Sequence, residues 1–545
     1  MSAILAVVLY AITLAGGYVY DDRFIVLNDP RVHQPRQWVR LWTNDYFDGG
    51  VDNLYRPIVS SSYALEWWVH GDRPWIFHGI NVVLHALTAA GVAEFTRRAL
   101  CLFAVYSSPF SRVPEGRYSG PRGNAGDEEK QGLPDPTNTA LPCGARPNMN
   151  APALIAGLLF AAHPIHVEAV ANIVGRAELA CTACIFAALI LLCRQPLTQL
   201  RVFGAVAIAA IGLLCKEQGI VQPLLWLFLG FLLREKNGDT SPLKNPPNRS
   251  AILTLILITV WSWAIYLLVR EHLLKFEWDS SNLDPTVQPL ILSAGLNRLL
   301  MPVVLLGHYT ALLLWPAHPS LDYGADAIGH IARASDPYLW IGFLAIAIWI
   351  IAAIRCAIVR TPAHRFVLFC LLGLAVSYGI VGNVIMLIGT IFAERLMYLP
   401  SAFFLMIVAV VSCNLPVRIR TITVCSILIL ASIRTVTAAR LWNHPLELYE
   451  ASRAAQPKSI QVYLLLAEDY HNQHDYTDAA AALKKVCDLY PDYWRVWKYR
   501  CEEALADGDI TDADQYLKRA LPLDHNPTLA DLAGRLGKAK AATKP

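Results

Sequence analysis

Four small clusters of ionisable residues interrupt an otherwise apolar chain. They are Asp21-Asp22, the stretch His163-Pro164-Ile165-His166-Val167-Glu168 running on to Arg176 and Glu178, Lys216-Glu217, and Glu394-Arg395. Ionisable groups at membrane depth are costly and are kept where they line a polar pathway or pair with one another. A carboxylate of this kind can take the proton of an attacking hydroxyl, and a guanidinium offers planar, paired donors to phosphate oxygens. The mixture points to a site for a polar, anionic substrate at a membrane surface. One such cluster is an ordinary helix-end charge; four on one face of a bilayer make a shared site the stronger reading.

The elements that must position these residues are membrane helices. The 545 residues are 55% hydrophobic and only 16% charged, with a mean hydropathy of +0.38, the composition of a multi-span protein. The net charge of +3 is small and no basic stripe with interleaved aromatics occurs, which excludes a nucleic-acid binder. Apolar stretches at 3–19, 76–96, 151–163, 177–193, 200–215, 219–233, 250–269, 338–354, 366–387, 399–413 and 419–434 are expected to span, about eleven crossings.

Lys and Arg concentrate in cytoplasmic loops. Arg97 and Arg98, Arg194 and Arg201, Arg234 to Arg249, Arg355 to Arg365, and Arg418 and Arg420 then share the cytoplasmic side, with the N-terminus inside and the C-terminal tail on the far side. All four charge clusters fall on that far side. A further apolar stretch, 290–315, would break the alternation if it crossed, so it is expected to be a re-entrant or interfacial helix pair within a large loop, 270–337. Arg298 there reads as an interfacial, snorkelling side chain. The first span is expected to be an uncleaved signal anchor, and 99–150, rich in Pro, Gly, Ser and charge, a disordered cytoplasmic loop. The one sequon, Asn248-Arg249-Ser250, falls on a cytoplasmic loop and should be unused. Of twelve cysteines, most sit in apolar runs; Cys181 and Cys184 form a CxxC inside a span without two further ligands, so buried, inert thiols are expected rather than zinc.

From about residue 440 the chain is soluble in character and repeats itself. Pro457/Pro491, Tyr463/Trp497, Ala467/Cys501, Asp475/Asp509, Tyr476/Ile510, Ala479/Ala513, Leu483/Leu517 and Leu489/Leu523 are each 34 residues apart. That period, with small residues at helix crossings, is the tetratricopeptide signature. Repeats at 459–492 and 493–526 and a closing helix are expected in a domain spanning 439–545, packed on the segment Trp442 to Tyr449 or on the membrane domain, 1–438. Such arrays bind peptides or protein surfaces on a concave face.

These residues together resemble the transmembrane and tetratricopeptide-repeat-containing O-mannosyltransferase family. The matching blocks are Tyr20-Asp21-Asp22, Thr43-Asn44-Asp45-Tyr46, Tyr55-Arg56-Pro57, Phe77 to Ala86, His163 to Val170, Gly175 to Glu178, Leu214 to Gly219, Ser320 to Tyr323 and Ala393 to Pro400. The likeness covers residues 1 to about 526. Family members usually carry a longer repeat array.

The resemblance implies an all-α fold: a polytopic helical bundle of the GT-C glycosyltransferase type with a C-terminal tetratricopeptide-repeat domain. It implies an endoplasmic reticulum membrane enzyme with its repeats in the lumen, moving mannose from dolichyl-phosphate mannose to Ser or Thr hydroxyls of luminal proteins, the acceptors being held by the repeats. Asp21 is the candidate base by this resemblance, with Asp22 positioning it or binding substrate, or the two roles reversed. In an extended segment the two side chains would face opposite ways. Arg395 and Arg176 are the candidate phosphate ligands, with Lys216 a third cation. Glu168, Glu178, Glu217 and Glu394 would hold these cations or the sugar hydroxyls. His163 and His166 could bind phosphate; their spacing beside Glu168 allows a metal in principle, but hydrogen-bonding roles are favoured, and no divalent metal or other cofactor is expected. The competing readings are a membrane-anchored repeat scaffold without catalysis, a transferase using another lipid-linked sugar, and a transporter, whose charges would lie nearer the midplane.

Overall fold

The computed structural model describes residues 1–47, 54–105, 149–194, 197–233, 249–274, 287–316, 320–324, 328–491, 493–506, 508–523 and 527–542. Most of the expected disordered loop, and Asn248 of the sequon, lie outside these residues. No strand occurs among the described residues, so the fold is all-α. Its longer helices are α1 (Ser2–Tyr10), α2 (Pro57–His70), α3 (Pro74–Val105), α4 (Asn150–Ala162), α5 (Arg176–Leu192), α6 (Gln199–Cys215), α7 (Gln222–Leu232), α8 (Arg249–Leu274), α9 (Leu296–Leu314), α10 (Pro337–Val359), α11 (Pro362–Val381), α12 (Tyr398–Ser412) and α13 (Val417–Leu441).

Among the described residues, seven helices are long and apolar enough to cross a bilayer, or eight if the bent pair Asn150–Ala162 and Pro164–Ala171 is one span. This is a polytopic membrane protein. Its helices sort by what surrounds them. The span Ile173–Leu192 is 72% buried within the protein, whereas Pro337–Val359 is 11% buried and shows Ile348, Ile351 and Ile354 on its surface. Such an apolar exterior is stable only against lipid. Ser2–Ala15, Gln199–Cys215 and Glu217–Leu232 are shorter apolar helices.

Over the stretch 290–315 a short 3-10 turn, Pro289–Leu292, is followed by a continuous 19-residue helix, α9, with Pro302 inside it. This helix packs closely on α10. A Cβ at Gly307 would lie 1.9 Å from the Tyr338 carbonyl oxygen, and one at Gly342 would lie 2.0 Å from that of Val303. Two glycines at a crossing let helix backbones touch.

The tail folds as α14 (Pro445–Ala455), α15 (Ile460–Asn472), α16 (Tyr476–Leu489), α17 (Trp494–Ala506), α18 (Ile510–Ala520) and α19 (Pro527–Ala542). Residues 34 apart do the same work. Asp475 caps α16 and Asp509 caps α18. Tyr463 donates its hydroxyl to the Pro457 carbonyl at 3.2 Å, and Trp497 its indole N–H to the Pro491 carbonyl at 2.9 Å. Ala479 and Ala513, and Leu483 and Leu517, are buried between helices. The core of the first helix pair, including Tyr449, Val462 and Leu465, is continuous with the apolar core of the membrane helices. The tail is therefore docked on the membrane part.

Candidate active site

Three loops and the turn at Lys216-Glu217 carry the charge clusters to one place. In the first, Tyr20 has a φ of 55°, a left-handed conformation costly for a bulky residue. It turns the chain into a helical turn at Asp21-Asp22, not the extended segment weighed from sequence; the two side chains diverge nonetheless. Asp22 is fully buried and accepts backbone N–H groups from Val19 at 3.3 Å, Ile173 at 3.3 Å and Val174 at 2.9 Å. Burial pushes its pKa up to about 7, against the pull of those three amides. It staples the first loop to the second. Asp21 instead faces Arg395, Oδ2 to Nη1 at 3.4 Å, with 15% of its side chain exposed.

The second loop is the break between α4 and α5. Pro164 starts a turn that α4 cannot continue. Asn172 accepts the Val174 N–H, and a Cβ at Gly175 would lie 2.2 Å from the Ala169 carbonyl oxygen, so only glycine permits the tight path into Arg176. This fold-back presents Glu168 and Glu178 on one side. In the third loop, Arg395 donates its backbone N–H to Glu168 Oε2 at 2.9 Å. Its Nη1 lies 3.1 Å from Glu168 Oε1 and its Nε 3.9 Å from Glu178 Oε1. Nη1 is buried between the Glu168 and Asp21 carboxylates and makes no directional hydrogen bond to either. Lys216 pairs with Glu178. Beside it Glu217 accepts from Arg56 at 3.3 Å and from the Tyr55 N–H at 3.2 Å.

Asp21, Glu168, Glu178 and Glu217 thus alternate with Arg395, Lys216 and Arg56. The pKa of Asp21 is raised by burial; Arg395 and then Arg56 pull it back down, while Glu178 and Asp322 push it up. A buried carboxyl of raised pKa is a stronger base when ionised.

Other sequence candidates have different work. Arg176 spends all five guanidinium N–H groups: on Asn81 Oδ1 at 3.1 Å, Ser62 Oγ at 2.9 Å, both oxygens of Glu66, and the Phe77 carbonyl at 3.1 Å. It also stacks over Tyr63 at 4.5 Å. With every donor used, it has none left for phosphate. His163 donates Nε2–H to the Leu313 carbonyl at 3.0 Å and accepts the Ile165 N–H on Nδ1. His166 is engaged by the Phe160 carbonyl at 2.8 Å and Ser401 Oγ at 2.7 Å. Both rings are buried and bond different helices, so they join neither a phosphate site nor a ligand cluster. Among the described residues no group of three or more His, Cys, Asp or Glu could hold a metal ion. Glu394 accepts from Tyr323 Oη at 2.6 Å and the Ser320 N–H at 3.1 Å, holding a loop rather than a cation.

Sequence reasoning missed Arg56 as a site cation, although Tyr55-Arg56-Pro57 stood out as a block, and it missed Glu66. A cleft of about 460 Å³ opens where Arg23 meets the tail, lined also by Asn443, Glu447, Asp469, Asn472 and Gln473 among others.

The fold and site define a polytopic helical membrane protein with a buried, charge-paired centre and a docked helical-repeat tail. The chain is 29% identical over 347 residues to protein O-mannosyl-transferase Tmtc2 of Drosophila melanogaster, covering 61% of this chain and 31% of that protein. It is 23% identical to protein O-mannosyl-transferase F38B6.6 of Caenorhabditis elegans, covering 90% and 62%, and 22% identical to human protein O-mannosyl-transferase TMTC4, covering 87% and 64%. It is a homologue of the TMTC protein O-mannosyl-transferases. It spans between about a third and two thirds of the length of these curated relatives. No family model and no solved structure matches it.

Proposed function

We propose that the chain transfers mannose from dolichyl-phosphate mannose to Ser or Thr hydroxyls of proteins in the endoplasmic reticulum lumen. The observation that carries this reading is the Asp21–Arg395 pair, a carboxylate and a guanidinium 3.4 Å apart at the meeting point of three loops. The acceptor oxygen attacks the anomeric carbon as the bond from that carbon to the phosphate oxygen breaks. Asp21 takes the hydroxyl proton, and the lipid phosphate leaves with its new charge held by Arg395, with Arg56 and Lys216 adding to the positive field. The relatives' names support the sugar and the protein acceptor. The cleft beside Arg23 offers side-chain amides that donate and accept, suited to an extended acceptor chain running from the repeats towards Asp21. A scaffold has no use for seven buried or half-buried charges in one network. The test is incubation of purified protein with dolichyl-phosphate mannose, dolichyl-phosphate glucose and a panel of luminal domains, read by mass spectrometry. A hexose added only from the mannose donor supports the reading; addition only from glucose replaces the sugar, and no addition from either removes the enzyme.

Two outcomes follow for the cations. Arg395→Ala raises the donor KM about tenfold or more, and Arg56→Ala by a few-fold, at unchanged acceptor KM, because each removes a charge-assisted contact to a phosphate. Initial rates over a donor titration check this. The pH profile gives a second check. Asp21 must be ionised to act, and its pKa lies above the ordinary aspartate value, so activity falls on acidification earlier than an exposed aspartate, at about 3.9, would allow. Arg395 favours the ionised form, so Arg395→Ala moves the ascending limb to higher pH. A limb that stays put in the variant separates Asp21 from the titration.

A further inference from the structure

We infer that the first repeat helix, α15, is a positioning element of the transfer centre, holding Asp21 from one end and Arg395 from the other. This rests on the transfer reading above and goes beyond acceptor binding.

The first hold runs through Arg23, two residues after Asp21. Its Nη2 lies 2.8 Å from Asp469 Oδ1, its Nη1 lies 3.4 Å from Glu468 Oε1, and its Nε reaches the Tyr18 carbonyl at 3.5 Å. A left-handed Tyr20 persists only where its surroundings over-determine it. Asp22 pins the turn to the loop at Ile173 and Val174, and Arg23 pins it to α15. Between these pins the Asp21 carboxyl has one place to point.

The second hold runs through the strap Ser320–Gly324. Ser459, which caps α15, accepts the Val462 N–H and donates its hydroxyl to Asp322 Oδ2 at 2.6 Å. Ser452 of α14 accepts the Leu321 N–H at 3.1 Å. The strap's other face bonds Glu394 through Ser320 and Tyr323, and Glu394 is the neighbour of Arg395. One helix therefore reaches both members of the proposed pair, Asp21 through Arg23 and Arg395 through the strap and Glu394. A tail that served only to gather acceptors would need neither contact.

Reversal of the Arg23–Asp469 charges tests this. Arg23→Asp and Asp469→Arg alone each lower kcat about tenfold or more, with donor KM within about twofold and whatever change in acceptor KM follows from altering the cleft, because displacing a reacting group by about an ångström is costly. Hydrolysis of dolichyl-phosphate mannose without acceptor falls in parallel. The double variant returns kcat to within about threefold of the parent. A rise confined to the acceptor KM, or a double variant no better than the singles, overturns the inference. Hydrogen exchange separates it from the proposed reaction. In Asp469→Ala the amides of Asp22 and Arg23, bonded to Val19 and Tyr20, exchange about tenfold faster whether or not the protein proves to be a transferase. Unchanged exchange there also overturns it.

Discussion

Asp21→Asn lowers mannose transfer by about a thousandfold while the protein still accumulates and unfolds at the parental temperature. The loss of a positioned general base costs about 10² to 10⁴ in rate. The variant keeps the shape of the side chain and an oxygen towards Arg395, but its amide cannot take a proton from the acceptor. The fold survives because Asp21 is not what satisfies Arg395. That guanidinium retains Glu168 at 3.1 Å and Glu178 at 3.9 Å, and its backbone N–H retains Glu168 Oε2. The comparison with Asp22→Asn makes the result specific. Asp22 accepts three backbone amides, and an asparagine would turn an N–H donor towards one of them, leaving a buried clash of donors. That variant loses thermal stability first and activity with it. Transfer assays and thermal unfolding on both proteins check the pair of outcomes. An Asp21→Asn protein with full activity removes Asp21 from the chemistry, whatever Asp22 does.

Asp21 and Asp22 show what a sequence carries about such a site and what it does not. Charge within apolar runs is visible because it is costly, and Asp21, Glu168, Glu178, Lys216 and Arg395 were visible for that reason. Which neighbour each charge meets depends on how the loops fold back, and adjacent residues can part company. Arg176 was conspicuous for the same cost, yet its counter-charge, Glu66, sits in α2, a helix too mixed in polarity to read as part of a membrane site. Arg56 was hidden differently: it lies in a polar segment where one arginine is unremarkable, and only Glu217 marks it as part of the centre. The histidines at 163 and 166 had a spacing that allowed ligation, with hydrogen-bonding roles favoured, and each ring makes hydrogen bonds around the broken helix. The repeats were legible in detail because each position's role, as cap, proline clasp or small crossing residue, is local and recurs. In the stretch 290–315 the close packing on α10 was not legible, because Gly307 meets Tyr338 and Gly342 meets Val303 only once the chain has folded back.

The second large effect belongs to Arg176 and falls on stability, where a phosphate ligand would affect donor use. Its side chain and that of Glu66 are 2% and 8% exposed. Arg176→Ala leaves the Glu66 carboxylate, Asn81 Oδ1 and the Phe77 carbonyl without their donor, in a site that water does not reach. Breaking one side of a buried ion pair costs about 3–5 kcal/mol, comparable with much of a domain's net stability. The expected result is a sharply reduced yield of folded protein in detergent and a large fall in unfolding temperature. Arg176→Lys recovers little, since an ammonium cannot reproduce a planar five-donor fork. Replacing both partners is gentler: Arg176→Met with Glu66→Met removes the uncompensated charge and regains much of the lost stability. Donor KM in whatever folded protein remains stays at the parental value. A stable Arg176→Ala protein with a raised donor KM would reverse the assignment and return this guanidinium to the phosphate. The five bonds it already makes argue against that outcome, because a phosphate would have to displace at least two of them to be held in the bidentate way a guanidinium offers.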